Sequence, residues 1–193
     1  MGRGLSELQK AILKLAWDEL EELRKAKMEV YKDPELLAEW REYYVHGIGV
    51  RPIPDKPALA VMAKDNWMGY FIKDDIFIKI YGWVPKYEYG NRFSKSEIGL
   101  KPYMAAYIAV RKSLDRLKAR GLMHSSNRQY IALTEAGENV SAKLAGVDSP
   151  VKLRYLEDVV KTNGEIEHHK GKIIEVPKYE AELMVLRGLF EPV

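Results

Sequence analysis

The chain has 193 residues, 47% of them hydrophobic and 31% charged, with a formal net charge of +3, so it is long and apolar enough to bury a core; an ordered chain is expected, of one domain with appendages or one domain plus a small second unit. It contains no cysteine, which excludes disulfides, thiolate metal sites and a cysteine nucleophile. No signal-like segment opens it and no apolar run approaches the roughly 18 to 20 residues that span a bilayer, so a cytoplasmic location away from membranes is expected.

Leu5, Leu8, Ile12, Leu15, Ala16 and Leu23 recur at helical spacing near Ser6 and predict a helix over residues 5–27. Leu13, Trp17 and Leu20 form a second apolar stripe, so a core and either the next segment or a partner subunit should both cover this helix. Its polar edge, Asp18, Glu19, Glu21 and Glu22, reads as solvated. Asp33 as N-cap and Pro34 at the first position open a short amphipathic helix with Leu36, Leu37, Trp40 and Tyr44, ending near Gly47. Gly47, Gly49, Pro52, Pro54 and Pro57 predict a loop or extended link over 47–66, since each proline fixes its own φ and pushes the preceding residue out of helical space.

Asp74 or Asp75 caps a helix carrying Ile76, Ile80 and Tyr81 that stops at Gly82. A loop follows, in which Ser94 and Glu97 have capping-box spacing. The next helix, about 101–120, turns Ala106, Val110, Leu114 and Leu117 to one face, flanked by Tyr103 and Tyr107. Lys101, Met104, Ala105, Ile108, Arg111, Lys112 and Asp115 point the other way. Gly121 ends this helix, Leu122 and Met123 begin a strand, residues 124–129 are turn formers, and Tyr130 to Leu133 form the returning strand. Thr134 caps a helix over 135–145. Beyond Pro150, Leu153, Leu156 and Val160 predict a helix over 151–163 stopped by Asn163-Gly164. A hairpin about Lys170-Gly171 and a helix over 178–187 complete the chain.

Charge is concentrated rather than spread. Residues 101–130 hold seven cations (Lys101, Arg111, Lys112, Arg116, Lys118, Arg120 and Arg128) against Asp115 alone, a local balance of +6 that leaves −3 for the rest. A cationic helix followed by a short hairpin favours a nucleic-acid partner over a merely solvated face, because local charge is what meets phosphate. Arg111 and Lys112 lie mid-helix, within reach of base edges, while Arg116, Lys118 and Arg120 suit backbone phosphates. For Met104, Ala105 and Ile108 the alternatives are contact with thymine methyls and burial against the preceding helix, with burial preferred. The turn residues Ser125, Ser126, Asn127 and Arg128 suit a loop over phosphates, Arg128 reaching toward a minor groove; a plain polar turn is the alternative.

The segments RKSLDRLKARGLM and YIALTEAG, residues 111–123 and 130–137, resemble the end of the recognition helix, both wing strands and the following helix start in winged-helix regulators of the broad MarR and PadR type. The resemblance spans about residues 70–145, with helix 5–27 as the first motif helix. It implies a mainly α (α+β) winged helix-turn-helix with a short β-hairpin wing, an insertion at about 28–69 before the second motif helix, and a C-terminal extension over 147–193. Sequence-specific binding of double-stranded DNA in transcriptional regulation follows as the expected function. The candidate DNA-binding residues are Lys101, Tyr103, Met104, Ile108, Arg111, Lys112, Arg116, Lys118, Ser125, Ser126, Asn127 and Arg128. A homodimer is expected because one recognition helix covers only a half-site, with helices 5–27, 151–163 and 178–187 as candidate contacts; the insertion or the extension can also hold a protein partner. A replication or partition factor at repeated sites, and a winged helix used only for protein contact, are the other readings.

No enzyme is expected. GxxxxGK, GxGxxG, HExxH and GxSxG motifs are all missing, and no cofactor is implied. His168 and His169 with Glu165 and Glu167 invite comparison with a metal site, but neighbouring strand residues face opposite ways, and a surface hairpin is the preferred reading. Tyr81, Trp83, Tyr87, Tyr89, Phe93 and Tyr103, interleaved with Lys86, Arg92 and Lys95, read as core packing of a long link rather than a stacking platform for a single strand.

Overall fold

The computed structural model describes residues 4–46, 54–64, 71–86, 92–125, 130–147, 150–160, 166–177, 181, 184–185, 188 and 190–193. The chain is mainly helical with small antiparallel sheets, an α+β arrangement, and it divides into two compact units. Residues 1–20 and 65–145 form the first; residues 21–64 and 146–193 form the second. The region read as an insertion therefore shares a unit with the C-terminal segment.

A reciprocal cap begins the first helix, α1 (Glu7–Lys32). The Ser6 N–H donates to Gln9 Oε1 at 2.9 Å and the Gln9 N–H to Ser6 Oγ at 3.3 Å, which satisfies two end donors that the helix itself leaves unpaired. Ile12, Leu13, Leu15 and Ala16 are buried in the core of the first unit. Trp17 is buried as well, so Leu13 and Trp17 of the second apolar stripe are covered within the chain and present no open face. Glu19, read as solvated, is buried and ion-paired with Lys79, because the helix face that carries it is covered.

The rest of the first unit builds onto that helix. Strand β1 (Phe71–Ile72) leads directly into α4 (Lys73–Tyr81), which follows α2 (Pro34–His46) and α3 (Pro57–Lys64) of the second unit in chain order. Asp74 and Asp75 lie inside the first turn of α4 rather than at its cap, where their charge suits the helix dipole. Gly82 takes φ 69°, which lets the chain turn back so that the Trp83 N–H reaches Phe77 O at 3.1 Å. The link to the next long helix contains a short helix, α5 (Lys95–Ile98). Ser94 stands at its N-cap position without capping it: its hydroxyl pairs with Ser96 Oγ at 2.9 Å, and Glu97 is drawn to Lys86 instead. The spacing alone therefore did not make a capping box.

Helix α6 (Leu100–Ala119) buries Tyr103, Ala106, Val110, Ser113, Leu114 and Leu117. Strands β2 (Met123–Ser125) and β3 (Tyr130–Leu133) pair antiparallel with Met123 opposite Leu133, and β1 joins the far side of β3, giving the order β1-β3-β2. Thr134 caps α7 (Glu135–Leu144), accepting from the Gly137 N–H at 3.1 Å. Met123, Ile131 and Leu133 meet Ile76, Phe77, Phe93, Leu114 and Leu117 in one core.

The second unit departs further from the sequence reading. Residues 57–64, expected in an extended link, form α3: Pro57 occupies the first helical position, where its missing N–H leaves no gap, and Ala58, Leu59 and Met62 are buried. The predicted helix over 151–163 is absent from its described part. Residues 150–160 contain strands β4 (Pro150–Tyr155) and β5 (Val159–Val160), and residues 161–163 lie outside the described set. Leu153 and Tyr155 are buried while Lys152 and Arg154 are exposed, a period of two that a sheet selects. Strand β4 is central between β7 (Ile173–Pro177) and β8 (Phe190–Pro192). The turn at Lys170-Gly171 exists, but the strands on either side do not form a hairpin: β6 (Ile166–His168) pairs with β5, and β7 with β4. Of the helix expected over 178–187, Ala181, Met184 and Val185 are helical; the others lie outside the described residues.

Candidate nucleic-acid interface

One face of α6 is anchored by aromatic packing. Phe77, Tyr81, Trp83, Phe93, Tyr103 and Tyr107 form a continuous cluster, with Trp83 stacked on Tyr103 at 5.5 Å and Phe77 on Tyr107 at 4.4 Å between ring centroids. Burial, helped by a hydrogen bond with Tyr103, pushes the Tyr107 hydroxyl above its ordinary pKa. Tyr103 is only 4% exposed, so its assignment to the DNA-binding set is corrected: it seats the helix and cannot meet a ligand. The aromatics described here pack as a core, as expected; Tyr87 and Tyr89 lie outside the described residues.

The opposite face is open. Lys101, Ala105, Arg111, Lys112, Asp115 and Arg116 are exposed, with the Arg111 side chain 86% accessible. Arg111 approaches Asp115 only at 4.0 Å, an exposed pair worth little. Met104 and Ile108 are 46% and 49% exposed, so the preference for burying them is overturned: the core approaches α6 from the side of Tyr103 and Val110, and these two face solvent with the cations.

Toward its C-terminal end the helix meets the hairpin. Lys118, half-buried, donates from Nζ to Ser125 Oγ at 2.9 Å, tying α6 to the end of β2. Lys73, at the start of α4, completes a cluster there. Burial lowers its pKa first; Lys118 and Arg111 lower it further, with Asp115 opposing them. Lys118 and Arg111 of α6 thus act on Lys73 of α4, and Asp115 offsets part of their effect. Lys73 was absent from the sequence-derived set because it lies far from residues 101–130 along the chain; only folding brings it to them. Ser126, Asn127 and Arg128 fall outside the described residues.

Two features explain why the segment LTEAG reads as it does. The Leu122 carbonyl accepts the Thr134 N–H at 3.1 Å, and Gly137 lies so close that an added Cβ would sit 1.8 Å from that same oxygen. Thr134 also donates its hydroxyl to Gly121 O at 2.5 Å. Threonine and glycine here lock the hairpin to α7, which fixes where the hairpin stands beside α6.

Elsewhere, His168 stacks near Tyr155 and approaches Lys172 at 3.0 Å, while His169 lies 3.9 Å from Asp158. No set of three His, Asp or Glu side chains that could hold a metal occurs among the described residues, and no described helix is long and apolar enough to cross a membrane. Comparison of the chain with family models, curated proteins and solved structures returns no match.

Proposed function

We propose that the first unit is a winged helix that binds double-stranded DNA in a sequence-specific manner, with α6 as the recognition helix, β2 and β3 as the wing, and transcriptional regulation as the role. The observation that carries this reading is the open cationic face of α6, where Lys101, Arg111, Lys112 and Arg116 are exposed and Lys118 bonds to Ser125 of β2, set opposite a face held by a buried aromatic cluster. Lys118 and Arg111 repel Lys73 while Asp115 offsets part of that repulsion, and the phosphates of a polyanion would relieve the rest. The order of elements supports the same reading: α1, a short strand, then α4, the short α5 and α6, then a hairpin whose second strand is central in the sheet. A homodimer on a two-fold site belongs to the proposal, since one α6 spans only a half-site.

The test is selection of bound sequences from a random duplex pool at low and near-physiological salt. An enriched palindrome and a log–log salt slope of about −5, from roughly six neutralised phosphates, are the expected results. Tandem direct repeats would shift the role to origin or partition marking. No retention at low salt would remove duplex DNA as the ligand.

A further inference from the structure

Resting on the proposed duplex-binding role of α6, we infer that its exposed apolar stripe, Met104 and Ile108 with Leu100 at its start, reads thymine C5-methyl groups on the floor of the major groove. Leu100, Met104 and Ile108 are 63%, 46% and 49% exposed and recur every four residues, so they form one line on one face of the helix. None of the three belongs to the core that Tyr103, Val110 and Leu114 make on the other side. Lys101 stands at the start of the stripe and Arg111, Lys112 and Arg116 follow its end, all exposed, so whatever covers it meets apolar contact with positive charge at both ends.

A duplex satisfies both requirements at once. An α-helix with side chains is about 10–12 Å across and the major groove about 12 Å wide. A helix seated there places its outermost side chains on the base edges and its flanking cations on the phosphate walls. Among the groups presented in that groove, the thymine methyl is the apolar one. Met104 and Ile108 are four residues apart, about 6 Å along the axis, or close to two base-pair steps of 3.4 Å. Arg111, one turn further along the same face, reaches the next step, where a guanine offers O6 and N7. The expected half-site therefore carries two thymines about two steps apart, followed by guanine.

The experiment takes the best duplex from a random-pool selection with the full chain and replaces its thymines one at a time by deoxyuridine. That exchange deletes a methyl and leaves every hydrogen-bonding group in place. The expected result is a loss of about fourfold in affinity at each of two thymines, the effect of one buried methyl, and no change elsewhere. In Met104→Ala and Ile108→Ala the thymine-to-uracil ratio at the corresponding position should fall to one, while the salt slope stays as in the parent. Salt-dependent duplex binding that is indifferent to deoxyuridine at every position would overturn this inference and leave the duplex-binding role standing. Absence of duplex binding would overturn both. Concentration-dependent self-association abolished by Met104→Ala, with no methyl effect, would assign the stripe to a second copy of the chain instead.

Discussion

Lys73 lets a role in the proposed binding be told apart from a role in stability. Its pKa lies below the ordinary lysine value, first through burial and then through Lys118 and Arg111. A lysine whose folded pKa is depressed is harder to protonate in the folded state than in the unfolded one. Its charge therefore opposes folding at neutral pH, and that opposition fades as pH rises through the lowered pKa. Lys73→Met is expected to leave the thermal midpoint unchanged or raise it, while weakening duplex binding and flattening the salt slope by about one unit. A lower midpoint with unaltered binding would mark the ammonium as structural. Gly137 tests the other kind of residue. Adding a methyl 1.8 Å from the Leu122 carbonyl must displace backbone on one side or the other, and at least about 1–3 kcal/mol of stability should be lost in Gly137→Ala by denaturant unfolding. Since Gly137 touches Leu122, the residue just before β2, hairpin amides should gain exchange before those in the middle of α6.

Helix α6 has a buried face and an open one, and the two should respond separately to substitution. Arg111→Ala removes a group that is almost fully accessible, so stability should hold while discrimination among duplexes falls by about 1–3 kcal/mol if it reads a base. Tyr103→Ala removes a buried ring stacked on Trp83, so about 3–5 kcal/mol of stability should go, and binding should be lost only as far as folding is lost. Parallel unfolding and binding curves for the two variants check this; a binding defect in folded Tyr103→Ala would return Tyr103 to the interface. The inward face of α6 was legible because Ala106, Val110, Leu114 and Leu117 repeat at helical spacing within one window. The status of Met104, Ile108 and Tyr103 was not, since a local pattern says which residues share a face but not from which side the core arrives. The segment 151–160 failed for a related reason. Leu153, Leu156 and Val160 fit helical spacing, while Val151, Leu153 and Tyr155 fit a strand. The partners that decide between them, Ile173–Pro177 and Phe190–Pro192, are remote in sequence.

At the scale of the whole molecule, the division into units changes what a truncation means. An insertion and a tail read from sequence suggest two accessories that can each be removed, but residues 21–64 and 146–193 form one compact unit. Its buried side chains include Trp40, Tyr43, Leu59 and Met62 from α2 and α3, and Leu153, Tyr155, Val176 and Phe190 from the sheet. Glu39 and Lys56, paired at 2.5 Å, lie on the helical part and are exposed, so this contact contributes little to cohesion. Apolar burial between the two segments, at about 25 cal/mol for each Å² removed from water, is the source of cohesion that truncation tests. A chain ending at Ala145 should therefore lose more than its strands. Amide hydrogens of α2 and α3 should exchange faster by orders of magnitude, while those of α6 and α7, which belong to the other unit, keep their protection, and the proposed salt-dependent affinity for duplex should persist. Unchanged protection in α2 and α3 would show that the helical and sheet parts hold themselves separately. Loss of protection in α6 as well would show that the two units fold as one cooperative body, and that the proposed DNA-binding surface depends on the unit that does not carry it.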